Sequence, residues 1–180
     1  MLELWKQFDS VSVGASLDAM GIRAEYMRKG TIWSDIESNR RSMLQICPQV
    51  DFYVSATVSV FNVLHVTDFH RDWVDKGLIK HQDFNINILQ GPEYYRCDIL
   101  PSHIKDAART KIENTIDWLK GNDHLERATS GYKGILNFMY DKDNTKMIPE
   151  FLRVTDQLDA LRKEKLEEIF PELGELRDFT

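Results

Sequence analysis

In the first ninety residues, segments with a strand-like pattern of apolar positions alternate with segments that have a helical pattern. This order predicts strands and helices in turn. Runs rich in β-branched and aromatic residues indicate strands, and apolar residues that recur every three or four positions indicate helices. The predicted strands cover residues 11–17, 52–60 and 84–89, and the predicted helices cover residues 2–8, 32–47 and 65–76.

The order of these elements predicts a parallel sheet, because strand–helix–strand units form right-handed crossovers. Apolar and small residues on both faces of strand 11–17 predict that this strand is buried on both sides. From Pro101 onward the pattern is helical only, over 101–120, 125–140 and 149–169, the last with a break. We therefore expect an α/β fold with about three strands in residues 1–100 and a helical C-terminal region in residues 101–180 packed on them.

A sheet of three strands has two bare edges, which are association hazards. We expect the sheet to be completed by a partner, to belong to a larger sheet, or to associate with a second copy of the chain.

Charge and hydropathy exclude two classes of partner. The net charge is −6, with 29 acidic and 23 basic residues, which argues against broad nucleic-acid binding. No apolar run approaches the roughly 20 residues of a membrane span, so no membrane partner is expected. The N-terminal residues lack the layout of a signal peptide, and the expected location is the cytoplasm.

Polar residues gather where the first predicted strand ends. Ser16 and Asp18 close the strand, and Arg28 follows twelve residues after Ser16, across a loop. In α/β proteins ligands bind at the carboxyl ends of strands, where a carboxylate can accept hydrogen bonds from sugar hydroxyls and an arginine can bind a carboxylate. The alternative is structural, with Asp18 capping the loop and Arg28 pairing with Glu25 on the surface.

Other polar residues give weaker signals. Asn62 follows the second strand and could contact a ligand or form a turn. His65, Asp68 and His70 lie close in sequence, but a spacing of five places the two histidines poorly for one metal. Cys47 closes an apolar helical face and is expected in the core, and with Cys97 as the only other cysteine the chain lacks the thiolates of a structural zinc or iron–sulfur site.

Several segments together resemble radical SAM proteins of the twitch-domain type, in the second half of their partial (β/α)6, TIM-barrel-like fold. The similarity extends over nearly the whole chain. It is carried by residues 16–19, 23–31, Trp33, 56–64, 87–94, 99–101, 158–162 and 170–173.

The resemblance implies a half-barrel that binds S-adenosylmethionine. It assigns Ser16 and Arg28 to cofactor contacts, Asp18 to the ribose or to the loop, and Asn62 to cofactor or substrate, while Ile88 and Leu89 could pack on the adenine or belong to the core. The CxxxCxxC motif that holds the [4Fe–4S] cluster in this family is absent from the 180 residues. A separate N-terminal half would therefore have to supply the cluster.

Three functions follow as hypotheses. The first is the cofactor- and substrate-binding half of a split or truncated radical SAM enzyme that modifies a small molecule or peptide. The second is a non-catalytic remnant that serves as a binding or assembly module. The third, a phosphate or small-molecule binder on a generic α/β sheet, lacks a glycine-rich loop to support it.

Overall fold

The computed structural model describes residues 1–179. Three strands and eight α-helices follow one another along this part of the chain, with short 3₁₀ segments between them and a longer one at Pro171–Phe179. Their bounds are α1 Leu2–Trp5, β1 Ser12–Ala15, α2 Gly21–Met27, α3 Trp33–Ile46, β2 Asp51–Val58, α4 Val66–Asp75, β3 Phe84–Ile88, α5 Ser102–Leu119, α6 Arg127–Asp141, α7 Ile148–Arg162 and α8 Leu166–Ile169.

The three strands form one parallel sheet in the order β1-β2-β3. Val13 and Ala15 lie beside Phe52 and Val54, and Val54 lies in turn beside Phe84. The predicted mixed α/β fold with three parallel strands and a largely helical remainder is thus confirmed.

The two faces of the sheet differ in character. One face carries the apolar side chains of β2 and β3 and packs on an aromatic cluster of the crossover helices, in which Trp73 stacks on Phe52 and Phe69 meets Phe84 edge-on. The opposite face carries polar residues and glycine, none of which is fully buried. Its residues are Ser12, Gly14, Asp51, Tyr53, Ser55, Thr57, Asn85 and Asn87.

Two sequence predictions are wrong in the region of β1. This strand is not buried on both sides: exposed and half-buried residues alternate along it, because its Ser12–Gly14 side belongs to the open polar face. Residues 21–27, expected as a loop, form the short helix α2, in which Ala24 and Tyr26 are buried.

The helical C-terminal region shares one hydrophobic core with the sheet. Helix α6 approaches β3 closely at two glycines: a Cβ on Gly131 would lie 2.6 Å from Cβ of Ile86, and one on Gly134 would lie 3.5 Å from Cδ1 of Ile88. Beyond α7 the chain turns at Lys163, whose φ is 58°, and this is the predicted break. Within residues 1–179, β1 pairs only with β2, so its outer edge is free.

Candidate functional site

The carboxyl ends of the three strands meet at one edge of the sheet, as they must in a parallel arrangement. Ser16 follows β1, the segment that contains Asn62 follows β2, and Leu89 follows β3. Hydrogen bonds join these ends, since the Leu89 amide donates to the Val58 carbonyl at 2.9 Å. The sequence-predicted residues therefore gather at this edge.

The side chain of Asp18 connects the segment after β1 to strand β2 and to Arg28, which follows helix α2. One carboxylate oxygen accepts a hydrogen bond from Nε of Arg28 at 2.7 Å, and the other accepts one from the Thr57 amide at 2.8 Å. The Asp18 side chain is 10% exposed, against 47% for Arg28. Glu25 does not pair with Arg28; it accepts the Trp33 amide at the start of α3, at 2.9 Å.

Arg28 remains available to a ligand. Its Nε is bonded to Asp18, while its two terminal Nη groups have no hydrogen-bond partner in residues 1–179. An exposed fork of N–H groups held by a buried carboxylate is suited to a ligand carboxylate.

Asn62 is buried, and its polar atoms are occupied. The amide nitrogen donates to the carbonyls of Asp18 at 2.6 Å and Thr57 at 3.0 Å, and Oδ1 accepts the Ser59 amide at 2.7 Å. With 0% of the residue exposed, Asn62 fastens the turn after β2 to the segment after β1. This arrangement agrees with the turn-forming alternative and leaves no atom of Asn62 for direct contact.

Ser16 and Leu89 lie on the polar side of the sheet edge. Ser16 is exposed, and its hydroxyl has no hydrogen bond in the described chain. Leu89 is half-buried and, by the alternation of β3, continues the face of Asn85 and Asn87. Ile88 points the other way, toward Gly134 of α6, and is half-buried against the core.

The open polar face was not assigned a role from the sequence. Nδ2 of Asn87 donates to Oγ of Ser55 at 3.0 Å, and the Tyr53 ring lies over Gly14, where a Cβ would come within 2.8 Å of the ring. The sequence feature that could have indicated this face is the alternation of polar and apolar residues in β2 and β3. The same alternation is typical of a sheet that faces solvent.

His65 and Asp68 belong to an ion-pair network near this edge, and His70 does not. Nε2 of His65 bonds Glu172 of the C-terminal segment, and Asp68 pairs with Nζ of Lys111 at 2.6 Å. Burial opposes the charge of His65, but its hydrogen bonds to Asp68 and Glu172 outweigh burial and raise its pKa.

His70 is a core residue. Its ring stacks on Phe84 with centroids 4.3 Å apart, and Nε2 bonds the His81 carbonyl at 3.0 Å. Burial lowers its pKa to about 3, so the ring is neutral. Within residues 1–179 no group of three His, Cys, Asp or Glu side chains could hold a metal ion.

Both cysteines are buried and free. Cys47 lies in the core, 1% exposed, in agreement with its prediction. Burial is the main cause that raises the pKa of Cys97 to about 12, which disfavours the thiolate that iron binds. The described cysteines therefore do not fit an iron–sulfur cluster.

Comparison of the chain with family models, curated proteins and solved structures found no match. Across residues 1–179, none of the helices has both the length and the apolar character needed to cross a bilayer.

Proposed function

We propose that this chain is the S-adenosylmethionine- and substrate-binding half of a radical SAM enzyme, located in the cytoplasm. One observation carries the proposal: Ser16 and the Arg28–Asp18 pair lie at the carboxyl edge of a parallel sheet whose adjacent face is polar and open. The chemistry that this cofactor supplies with its cluster is radical hydrogen abstraction from a substrate.

The sheet supports the half-barrel part of the proposal. Its strands run in sequential order, and the crossover helices α3 and α4 pack on its apolar face. A (β/α) barrel has the same arrangement, with helices outside and the inner strand face toward the lumen. In this proposal Tyr53, Ser55 and Asn87 face the substrate, a small molecule or peptide.

The residues present fit S-adenosylmethionine in part. The free Nη groups of Arg28 suit its methionyl carboxylate, the unbonded hydroxyl of Ser16 suits a polar group beside it, and Leu89 offers an apolar surface to the adenine. Asp18 and Asn62 position this edge through their internal hydrogen bonds. The cluster is assigned to a separate N-terminal half, because the described cysteines do not fit it.

Binding of S-adenosylmethionine to the isolated chain tests the cofactor role. We expect Arg28→Ala to weaken binding roughly tenfold or more, the loss of one charge-assisted hydrogen-bonded contact, as measured by isothermal titration calorimetry. Ser16→Ala should weaken it less and leave the fold intact, since its hydroxyl has no partner. Arg153→Ala is the matched control, because Arg153 is an exposed arginine paired with Glu150.

Unchanged affinity in both variants would overturn the cofactor role and favour the second function, a non-catalytic binding or assembly module. Thermal melting of Arg28→Ala shows whether loss of the Asp18 partner has unfolded the chain. The Ser16→Ala result is then decisive.

Catalysis is tested with the complementary half. Anaerobic co-purification with a chain that carries CxxxCxxC and the preceding βα units should give 5′-deoxyadenosine from S-adenosylmethionine under reducing conditions. A pair that co-purifies and forms none contradicts the catalytic part of the proposal.

A further inference from the structure

A second cavity lies in the helical region, and none of its lining residues belongs to the strand-end site. It measures about 480 Å³ and opens between the start of α5, the segment after α6 and the end of the C-terminal 3₁₀ segment. This volume is within the usual range of small-molecule sites, roughly 300–1,000 Å³.

Lys105 is the unusual residue of this cavity. It is only 5% exposed, it lines the cavity, and its Nζ has no hydrogen bond or ion pair in residues 1–179. Nζ lies 6.0 Å from the centroid of the Tyr140 ring, and its charge acts on the carboxylate of Asp143 without forming an ion pair with it. Nζ itself is not among the fully buried polar atoms, so the buried stem presents an ammonium group without a direct partner to the cavity, and this arrangement suits a ligand that brings a negative charge.

The N-terminus of α5 adds donors at the same place. This 18-residue helix has no side-chain cap, and its first backbone bond runs from the Lys105 amide to the Pro101 carbonyl at 3.0 Å. The amides of Ser102, His103 and Ile104 therefore have no carbonyl partner in the described chain. Unpaired amides and the helix dipole both favour an anion at this end.

The remaining walls limit what can enter. The ring of Phe179 is stacked on His103 at an interplanar angle of 17°, which gives one wall a flat apolar surface. Asp143 is the only acidic residue in the lining; its Oδ1 accepts the Thr145 amide at 3.0 Å and does not pair with Lys105. The cationic end of the cavity is thus left open to an external group.

We propose that this cavity binds a small organic oxyanion, a phosphate monoester or a carboxylate. The anionic group lies against Nζ of Lys105 and the free amides of α5, and the organic part packs between Tyr140 and Phe179. The site is independent of the strand-end site.

Titration with two aromatic probes, phenyl phosphate and benzoate, tests the site in chloride buffer of matched ionic strength. We expect saturable binding of at least one probe by calorimetry, and a loss of roughly tenfold or more in Lys105→Met. Lys146→Met is the matched control, since Lys146 is exposed and does not line the cavity. Tighter binding of phenyl phosphate identifies the ligand class as phosphate, and tighter binding of benzoate identifies it as carboxylate.

The melting temperature provides a second measurement. Added probe should raise the melting temperature of the unmodified chain and not that of Lys105→Met. Absence of saturable binding by either probe, or equal binding by Lys105→Met, would overturn the proposal.

Discussion

Individual residues at the strand ends divide into those that hold the edge together and those that remain available. Asp18 and Asn62 use their polar atoms on backbone groups of neighbouring segments, while Ser16 and the Nη groups of Arg28 have no partner in the described chain. A residue type that suits ligand binding is equally suited to fastening loops. Only the contacts separate the two roles.

His70 leads to a prediction at this scale. Its pKa is lowered by burial from 6.5 to about 3, so below pH 6.5 the unfolded chain binds a proton that the folded chain excludes, and stability falls as the pH falls. Between pH 6.5 and 4.5 this one group should cost about 2 to 3 kcal/mol of unfolding free energy.

Urea denaturation at the two pH values measures this effect. His70→Gln should remove the part of the pH-dependent loss of stability that is due to His70. The variant should also be less stable at pH 7, because the packing of the imidazole ring is lost. His124→Gln, at an exposed histidine, should retain the full dependence. An equal pH dependence in His70→Gln and the unmodified chain would show that the His70 ring titrates in the fold.

At the scale of elements, the contact between α6 and β3 tolerates a methyl group at one glycine and not at the other. Alanine favours helix by up to about 1 kcal/mol over glycine, so Gly134→Ala should be neutral or stabilising, since its Cβ would make an ordinary contact. Gly131→Ala should instead destabilise by about 1 to 3 kcal/mol, because Cβ of Ile86 would lie 2.6 Å away. Chemical denaturation of the two variants compares them directly, and equal stability would contradict this view of the contact.

The attachment of the C-terminal segment depends on pH through His65 and Glu172. Because the pKa of His65 is raised in the folded chain, the contribution of His65 to the stability of the attachment is complete below pH 6.5. This contribution is lost as the pH rises through the pKa of His65 in the folded chain. Burial acts to raise the pKa of Glu172, but the hydrogen bond to His65, a backbone hydrogen bond and the charges of His65 and Arg23 together lower it. The contribution of Glu172 to the attachment is lost as the pH falls through this lowered pKa. Attachment should therefore be firmest between about pH 4.5 and 6.5.

Hydrogen exchange of residues 171–179, corrected for intrinsic rates, measures this attachment. Protection should fall above neutral pH in the unmodified chain and be low throughout in His65→Gln and Glu172→Gln. Protection that stays constant across pH 6 to 9 would contradict the role of the pair.

The sequence predicted helices and strands well where the apolar pattern repeats several times. It predicted poorly the features that depend on a single contact between residues far apart in the chain. Helices α3 and α4 and strand β3 lie within a residue or two of their predicted bounds, because several turns or alternations define each of them. Helix α2 was missed, since seven residues that begin with a glycine carry little periodicity. The position of the candidate site followed from strand order, but the bond from Asp18 to Thr57 joins residues 39 apart and depends on a register that no local pattern encodes.

At the scale of the whole molecule, the free edge of β1 is the feature most open to a partner. The backbone groups on that side pair with nothing in residues 1–179, and such edges promote association. We expect self-association at micromolar to millimolar concentration, measurable by sedimentation, which Ser12→Lys should reduce by placing a charge on the edge. Gln45→Lys, on an exposed position of α3, adds the same charge elsewhere and should not reduce association. A monomeric unmodified chain would contradict the prediction.

The carboxylate of Asp18 also provides a way to detect ligand binding at the strand end. Because its two oxygens serve Arg28 and the Thr57 amide, any molecule that draws the guanidinium away changes the charge felt by a backbone proton inside the sheet. The Thr57 amide resonance should therefore shift when a ligand binds the exposed arginine, so that one backbone proton of the sheet reports an event at the surface.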